Sequence, residues 1–179
     1  MATETLLPDA VIGTPVGYTV TLLFLLNIDE GVGNADNTWT SADESGATEV
    51  ILGFPTPTDT LTTGADLQTF RAVVRKNATG GNNPTVQIVV YENGNSTNIS
   101  SNDITVNTTG TGQTISFTWN ANVLAALSGA NVEIGIIQTG GAGGRRSNRR
   151  YVEVDTAEWI ADYTVAPVGG GAYSFSTFF

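Results

Sequence analysis

Leu67-Gln68-Thr69-Phe70-Arg71-Ala72-Val73-Val74-Arg75 and Thr85-Val86-Gln87-Ile88-Val89-Val90-Tyr91 are the two runs on which the reading of this chain turns. Both are rich in β-branched and aromatic residues, which suit a pleated, half-buried surface. Side chains alternate along a strand, so Phe70, Ala72 and Val74 share one face and Arg71, Val73 and Arg75 the other. In the second run Val86, Ile88 and Val90 oppose Gln87, Val89 and Tyr91. The intervening Asn77-Ala78-Thr79-Gly80-Gly81-Asn82-Asn83-Pro84 is dense in turn formers, so the two runs are expected to pair as a β-hairpin. Such a pair has one strongly apolar face and needs a second layer to cover it.

Outward from this stretch the same pattern recurs. Extended segments are expected over residues 5–12, 18–26, 48–54, 113–119, 132–136 and 151–163, with one irregular strand or two short ones over 97–106. Glu92-Asn93-Gly94-Asn95 and Thr108-Thr109-Gly110-Thr111-Gly112 are turns. Asn120 or Asn122 could cap one short helix running through Leu127 and ended by Gly129. The sum is about eight strands at the spacing typical of a sandwich. No fixed-period repeat points to a propeller or solenoid.

A length of 179 residues suits one domain with a full core. The division expected is a β-sandwich over 1–163 and a Gly-hinged aromatic arm over 164–179. The absence of cysteine excludes disulfides and thiolate metal sites, and the absence of histidine excludes a Ser/His/Asp triad. A net charge of -10 argues against a nucleic-acid partner. The longest apolar run, 22–26, is too short to cross a bilayer, and no basic n-region marks a secretory signal. No cofactor and no metal is assigned.

Several groups invite a functional reading. Asp29, Glu30, Asp36, Asp43 and Glu44 could offer oxygen ligands to Ca²⁺ but match no ordered loop motif, and a solvated acidic loop accounts for them as well. No carboxylate pair stands out for glycoside hydrolysis. Trp39, Trp119 and Trp159 could form a sugar-stacking platform, but Trp119 and Trp159 fall at strand positions in phase with core residues, leaving Trp39 as the exposed candidate. Arg145, Arg146, Arg149 and Arg150 crowd one Gly-rich loop, whereas residues 1–70 carry acids and no Lys or Arg. Either these arginines balance Glu153, Asp155 and Glu158 on the following strand, or they dock an acidic partner, including a neighbouring copy.

The C-terminal segment Thr164 to Phe179 has no charged side chain and ends, after Gly169-Gly170-Gly171, in Tyr173, Phe175, Phe178 and Phe179. It is expected to anchor on an adjacent subunit. Burying one large side chain yields roughly 1.5–3 kcal/mol, while ordering each residue costs about 1–2 kcal/mol of backbone entropy. Aromatic burial alone therefore falls short, and pairing with an exposed sheet edge would supply the rest.

The order of features from about Leu7 to Tyr163 resembles a jelly-roll domain of structural proteins of tailed bacteriophages. The features are Leu7-Pro8-Asp9, Asn27-Ile28-Asp29-Glu30 and Asn34-Ala35-Asp36, then the run from Leu67 to Lys76 and the run from Val86 to Gly94. A short Ala/Leu-rich helix, the arginine loop and the strand Val152-Glu153-Val154-Asp155 with Glu158-Trp159 complete it. The resemblance implies an all-β antiparallel jelly-roll sandwich. It also implies a non-enzymatic virion protein, most simply a capsid decoration or cement protein. Its partners would be the major capsid protein and other copies of itself, on the capsid exterior after synthesis in a bacterial cytoplasm. It transfers no functional residue. A carbohydrate-binding or host-receptor-binding tail or fibre module is the alternative.

Overall fold

The computed structural model describes residues 2–11, 31–34, 40–41, 49–55, 67–92, 95–100, 103–120, 132–141 and 145–163. Apolar residues at alternate positions mark the long strands; in chain order the strands are β1 (Ala2–Leu6), β2 (Ala10–Val11), β3 (Thr40–Ser41), β4 (Glu49–Phe54), β5 (Leu67–Lys76) and β6 (Thr85–Glu92). The remainder are β7 (Asn95–Asn98), β8 (Ile104–Thr105), β9 (Gln113–Asn120), β10 (Val132–Gly140) and β11 (Val152–Tyr163). Sheet A runs β1-β11-β5-β9, with β3 also on β11, and sheet B runs β2-β4-β10-β6-β7, with β8 also on β6. Every pairing is antiparallel.

The pairings nest. β6 bonds to β7, β5 to β9, β4 to β10 and β1 to β11, as if one long hairpin were closed around Glu92 and Asn95 and then rolled up. Rolling adds the contacts of β11 with β5 and of β10 with β6. This nested order is a jelly-roll β-sandwich. The segments expected at 18–26 and 121–127 lie outside the described residues, and Asn120 closes β9.

The hairpin expected at 67–91 is not formed. β5 lies in sheet A between β11 and β9, and β6 lies in sheet B between β10 and β7. Residues 77–84 are an arch from one sheet to the other. The reason is burial: Phe70, Ala72, Val74, Val86, Ile88 and Val90 are all fully buried in one core. Side by side, the two strands would present both apolar faces to the same side. Face to face, each covers the other.

β11 contains a bulge between Val154 and Thr156. One extra residue reverses the facing of everything beyond it. Val152 and Val154 point inward before the bulge, and Ala157, Trp159 and Ala161 do so after it. Trp159 is fully buried, stacks on Trp119 at 6.5 Å and meets Phe54 edge-on at 6.2 Å. Phe54 also meets Phe70 edge-on. The core placement expected for Trp119 and Trp159 holds. The indole Nε1 of Trp159 donates to Gln68 Oε1 (3.0 Å), and Gln68 Nε2 donates to the Asp162 carbonyl (2.7 Å), so this buried amide is satisfied at both ends.

Phe70→Ala would open a cavity between the sheets. A loss of about 3–5 kcal/mol is expected in denaturant unfolding, with the β-type circular dichroism spectrum retained.

Candidate functional site

The arginine loop begins from a 3-10 turn, Arg146–Asn148. Arg145 is exposed, and the Arg146 side chain is outside the described set. Arg150 is committed to its own domain. Its Nη1 donates to the carbonyls of Ser147 (3.0 Å) and Arg149 (2.6 Å), and its Nη2 to the Thr79 carbonyl (2.8 Å). Asn82 N–H donates to the Asn148 carbonyl at 2.8 Å. Lys76 Nζ reaches the same arch from below, donating to Asn83 Oδ1 at 2.9 Å. The arch accordingly needs glycine at 81: its φ is +65°, and a Cβ there would lie 2.8 Å from the Asn148 carbonyl.

Neither Glu153 nor Glu158 is balanced by this loop, as one expectation had it. Both sit on the outer face of sheet A directly opposite arginines of β5, Glu153 against Arg75 and Glu158 against Arg71. The pairs close at 2.5 Å and 2.9 Å. Glu158 is 5% exposed, and its second oxygen accepts the Val32 N–H at 2.9 Å, so one carboxylate ties β11, β5 and the Val32–Asn34 turn together. Gly31 lies close over it, since a Cβ there would stand 3.1 Å from Glu158 Oε2. Asp155, in the bulge, is fully buried.

A third polar group lies on the outer face of sheet B. Pairing of β8 with the start of β6 sets Thr105 beside Thr85 and brings Asp103 over the face. Asp103 Oδ1 accepts from Gln87 Nε2 (2.5 Å) and Oδ2 from the Thr139 hydroxyl (2.8 Å). The hydroxyls of Thr85 and Thr139 are 2.9 Å apart. The Thr139 hydroxyl, then the Gln87 amide, hold the Asp103 carboxyl below its ordinary pKa; desolvation opposes them, and Thr85 adds a lesser lowering. All four side chains are aligned by one another and remain open to solvent or half-open. Along the same face of β6 the next positions are Val89, buried, and Tyr91, half-buried beside Glu133 of β10. Gly135 of β10 lies between Val89 and Ile51, and Val89 and Gly135 are both buried.

Of the residues marked in the sequence, the structure brings Arg149 and Arg150 into one loop with Arg145 and fastens Arg150 to the arch. Tyr173, Phe175, Phe178 and Phe179 lie outside the described residues, as do Trp39 and the acidic group Asp29, Glu30, Asp36, Asp43 and Glu44. The Asp103 group was not singled out in the sequence. Its only local sign is Gln87, a polar residue in an otherwise β-branched run.

No protein-family model matches the chain, and no curated protein matches it. Among solved structures it is similar to the family 32 CBM from C. perfringens NanJ in complex with galactose, at 13% identity and TM-score 0.42, covering 89% of this chain and 92% of that one. It is also similar to the CBM22-1 xylan-binding domain from Paenibacillus barcinonensis Xyn10C, at 9% identity and TM-score 0.39, covering 73% and 90%. Both likenesses are too remote to bear on ligand or residue roles. The class is defined by the strand order itself, a jelly-roll β-sandwich.

Two outcomes follow from the polar groups. Glu158→Gln should weaken the fold by about 1–3 kcal/mol and speed hydrogen exchange at the Val32 amide. Asp103 binds its proton less readily in the folded chain than in the unfolded one, so its contribution to stability is complete above the unfolded value and lost as pH falls through the lower folded value. An NMR titration should place its midpoint below that of a free aspartate, and Thr139→Val should move it back up.

Proposed function

We propose that this protein is a non-catalytic binding module whose ligand is carbohydrate, taken on the outer face of sheet B. The observation that carries the reading is the Asp103 group: a carboxylate, an amide and two hydroxyls already aligned by mutual hydrogen bonds and facing solvent. A carboxylate offers about four acceptor sites, so Asp103 keeps capacity for sugar hydroxyls after serving Gln87 and Thr139. The group needs little reordering on binding, which lowers the entropic cost. Tyr91 lies four residues beyond Gln87 along β6, about 13 Å at strand rise, half-buried, and is the aromatic residue we assign to stacking against a sugar face. Trp119 and Trp159 are unsuited to the role because both are core residues. A non-catalytic role accords with the engagement of Glu153 and Glu158 in ion pairs.

A second reading, a capsid decoration protein, is favoured by the sequence resemblance and by the jelly-roll order it implied. On that reading Arg145 and its neighbours, together with the aromatic arm, contact the major capsid protein or other copies of this chain on the virion exterior.

A glycan array and a capsid co-sedimentation assay separate the two. The expected outcome is retention of a glycan by the full chain, weakened at least tenfold in both Asp103→Ala and Tyr91→Ala with circular dichroism unchanged. Binding to capsids with no glycan retained would move the assignment to the second reading.

A further inference from the structure

Thr139 reaches the Asp103 group through a break in the pairing of β6 with β10. Gln138 pairs with Val86 and Gly140 with Thr85, so Thr139 is the extra residue of a bulge. Bulges re-aim side chains, and this one brings the Thr139 hydroxyl within 2.9 Å of the Thr85 hydroxyl. Gly140 permits the approach, because a Cβ there would stand 2.6 Å from Thr85 Oγ1. Asp103 and Thr139 are exposed, and Thr85 and Gln87 are half-buried.

The protons of this group all turn inward. A hydroxyl has one proton, and Thr139 gives its own to Asp103 Oδ2 at 2.8 Å. Thr85 therefore donates rather than accepts in its contact with Thr139. Gln87 Nε2 directs one of its N–H groups to Asp103 Oδ1. What remains toward solvent is almost wholly acceptor. It consists of the further lone pairs of the carboxylate and of both hydroxyls, with Gln87 Oε1, against the second N–H of Gln87.

The surrounding sheet adds charge of the same sign. β2, β4, β6, β7, β8 and β10 hold no Lys or Arg, and they carry Glu49, Glu92 and Glu133. At the end of the sheet near Asp103, Lys76 and Arg150 are turned to Gly80, Asn83 and Thr79 of the arch. Among the described residues no cation pairs with Asp103. A uronate or a sulfate would set acceptors and negative charge against the same. A neutral hydroxyl brings one donor. An ammonium brings three donors, no acceptor and the opposite charge, and charge-assisted hydrogen bonds are about twice as strong as neutral ones. We infer that the Asp103 group takes an ammonium, and that its ligand is an amino sugar with a free amine, the sugar resting on the carbohydrate reading above.

Oligomers of β-1,4-linked glucosamine, N-acetylglucosamine and glucose of equal length differ only in the substituent at C2 and serve as probes. They are titrated calorimetrically into the full chain at about pH 6, where a carboxylate is ionised and an amine protonated. The glucosamine oligomer should bind about tenfold tighter than either of the others, the gain of one charge-assisted contact over a neutral one. It should also shift the side-chain amide resonances of Gln87. Asp103→Asn should abolish the preference with circular dichroism unchanged. Asp9→Asn, which removes an equal charge from an exposed position beside the far edge of sheet B, should leave the preference intact. A preference that survives Asp103→Asn would report attraction to the net charge of -10 and overturn the inference, as would Gln87 resonances that do not move. Equal affinity for all three, or tighter binding of either uncharged oligomer, would overturn it while carbohydrate binding stands. Failure to bind any of the three would overturn it too, and the glycan array then tells whether the carbohydrate reading falls with it.

Discussion

The apolar faces of β5 and β6 must be buried against each other, and the rest of the architecture follows from that requirement. Both strands are central in their sheets, each with neighbours on both edges. The chain therefore has to climb from one layer to the other within residues 77–84. Asn77 N–H to the Tyr151 carbonyl, Val106 N–H to the Pro84 carbonyl, and the reach of Arg150 and Lys76 fasten that climb at both ends. Two cations, Arg150 on the Thr79 carbonyl and Lys76 on Asn83 Oδ1 and the Gly80 carbonyl, do work that a tight hairpin turn would do with its own hydrogen bonds.

Polar groups inside the sandwich act as register marks. Gln68 joins the Trp159 indole to the Asp162 carbonyl, and Gln138 accepts from Val152 N–H while donating to the carbonyls of Gly140 and Arg150. A slip of one residue in β5 or β10 would leave these amides buried without partners, which costs more than the bonds themselves contribute. The bulge in β11 belongs to the same scheme. It turns Trp159 into the core behind Val152 and Val154, and it leaves Glu153 and Glu158 opposite Arg75 and Arg71 on the outer face.

Strand positions were legible in the sequence because alternation is local: β4, β5, β6, β9, β10 and β11 lie where the pattern sets them, and 97–106 resolves into the short pair β7 and β8. Partners were less legible. The gap between β5 and β6 is longer than the 2–5 residues usual for a hairpin loop, and that length was the available sign of an arch. The genuine hairpin sits one turn later, where Glu92 pairs with Asn95. The Asp103 group could not be read at all, since a two-residue strand far along the chain delivers its carboxylate to Gln87 and Thr139. Arg150 was grouped with its neighbours by composition, and only the fold distinguishes it as a strut.

The nested pairing also orders events in time. Sheet A has β11 in its interior, so β1 and β5 cannot be joined until the last strand has been made. Until then β5 keeps an unfilled edge, and β1 has no partner among the described strands. Contacts between elements so far apart in sequence place this chain with slow-folding all-β topologies. During that interval the Val- and Ile-rich β6 and β10 are the segments most at risk of pairing with another molecule. The hydroxyl- and asparagine-rich β7 beside β6, an early local partner from the hairpin at Glu92 and Asn95, shields one of those edges while the rest of the chain arrives.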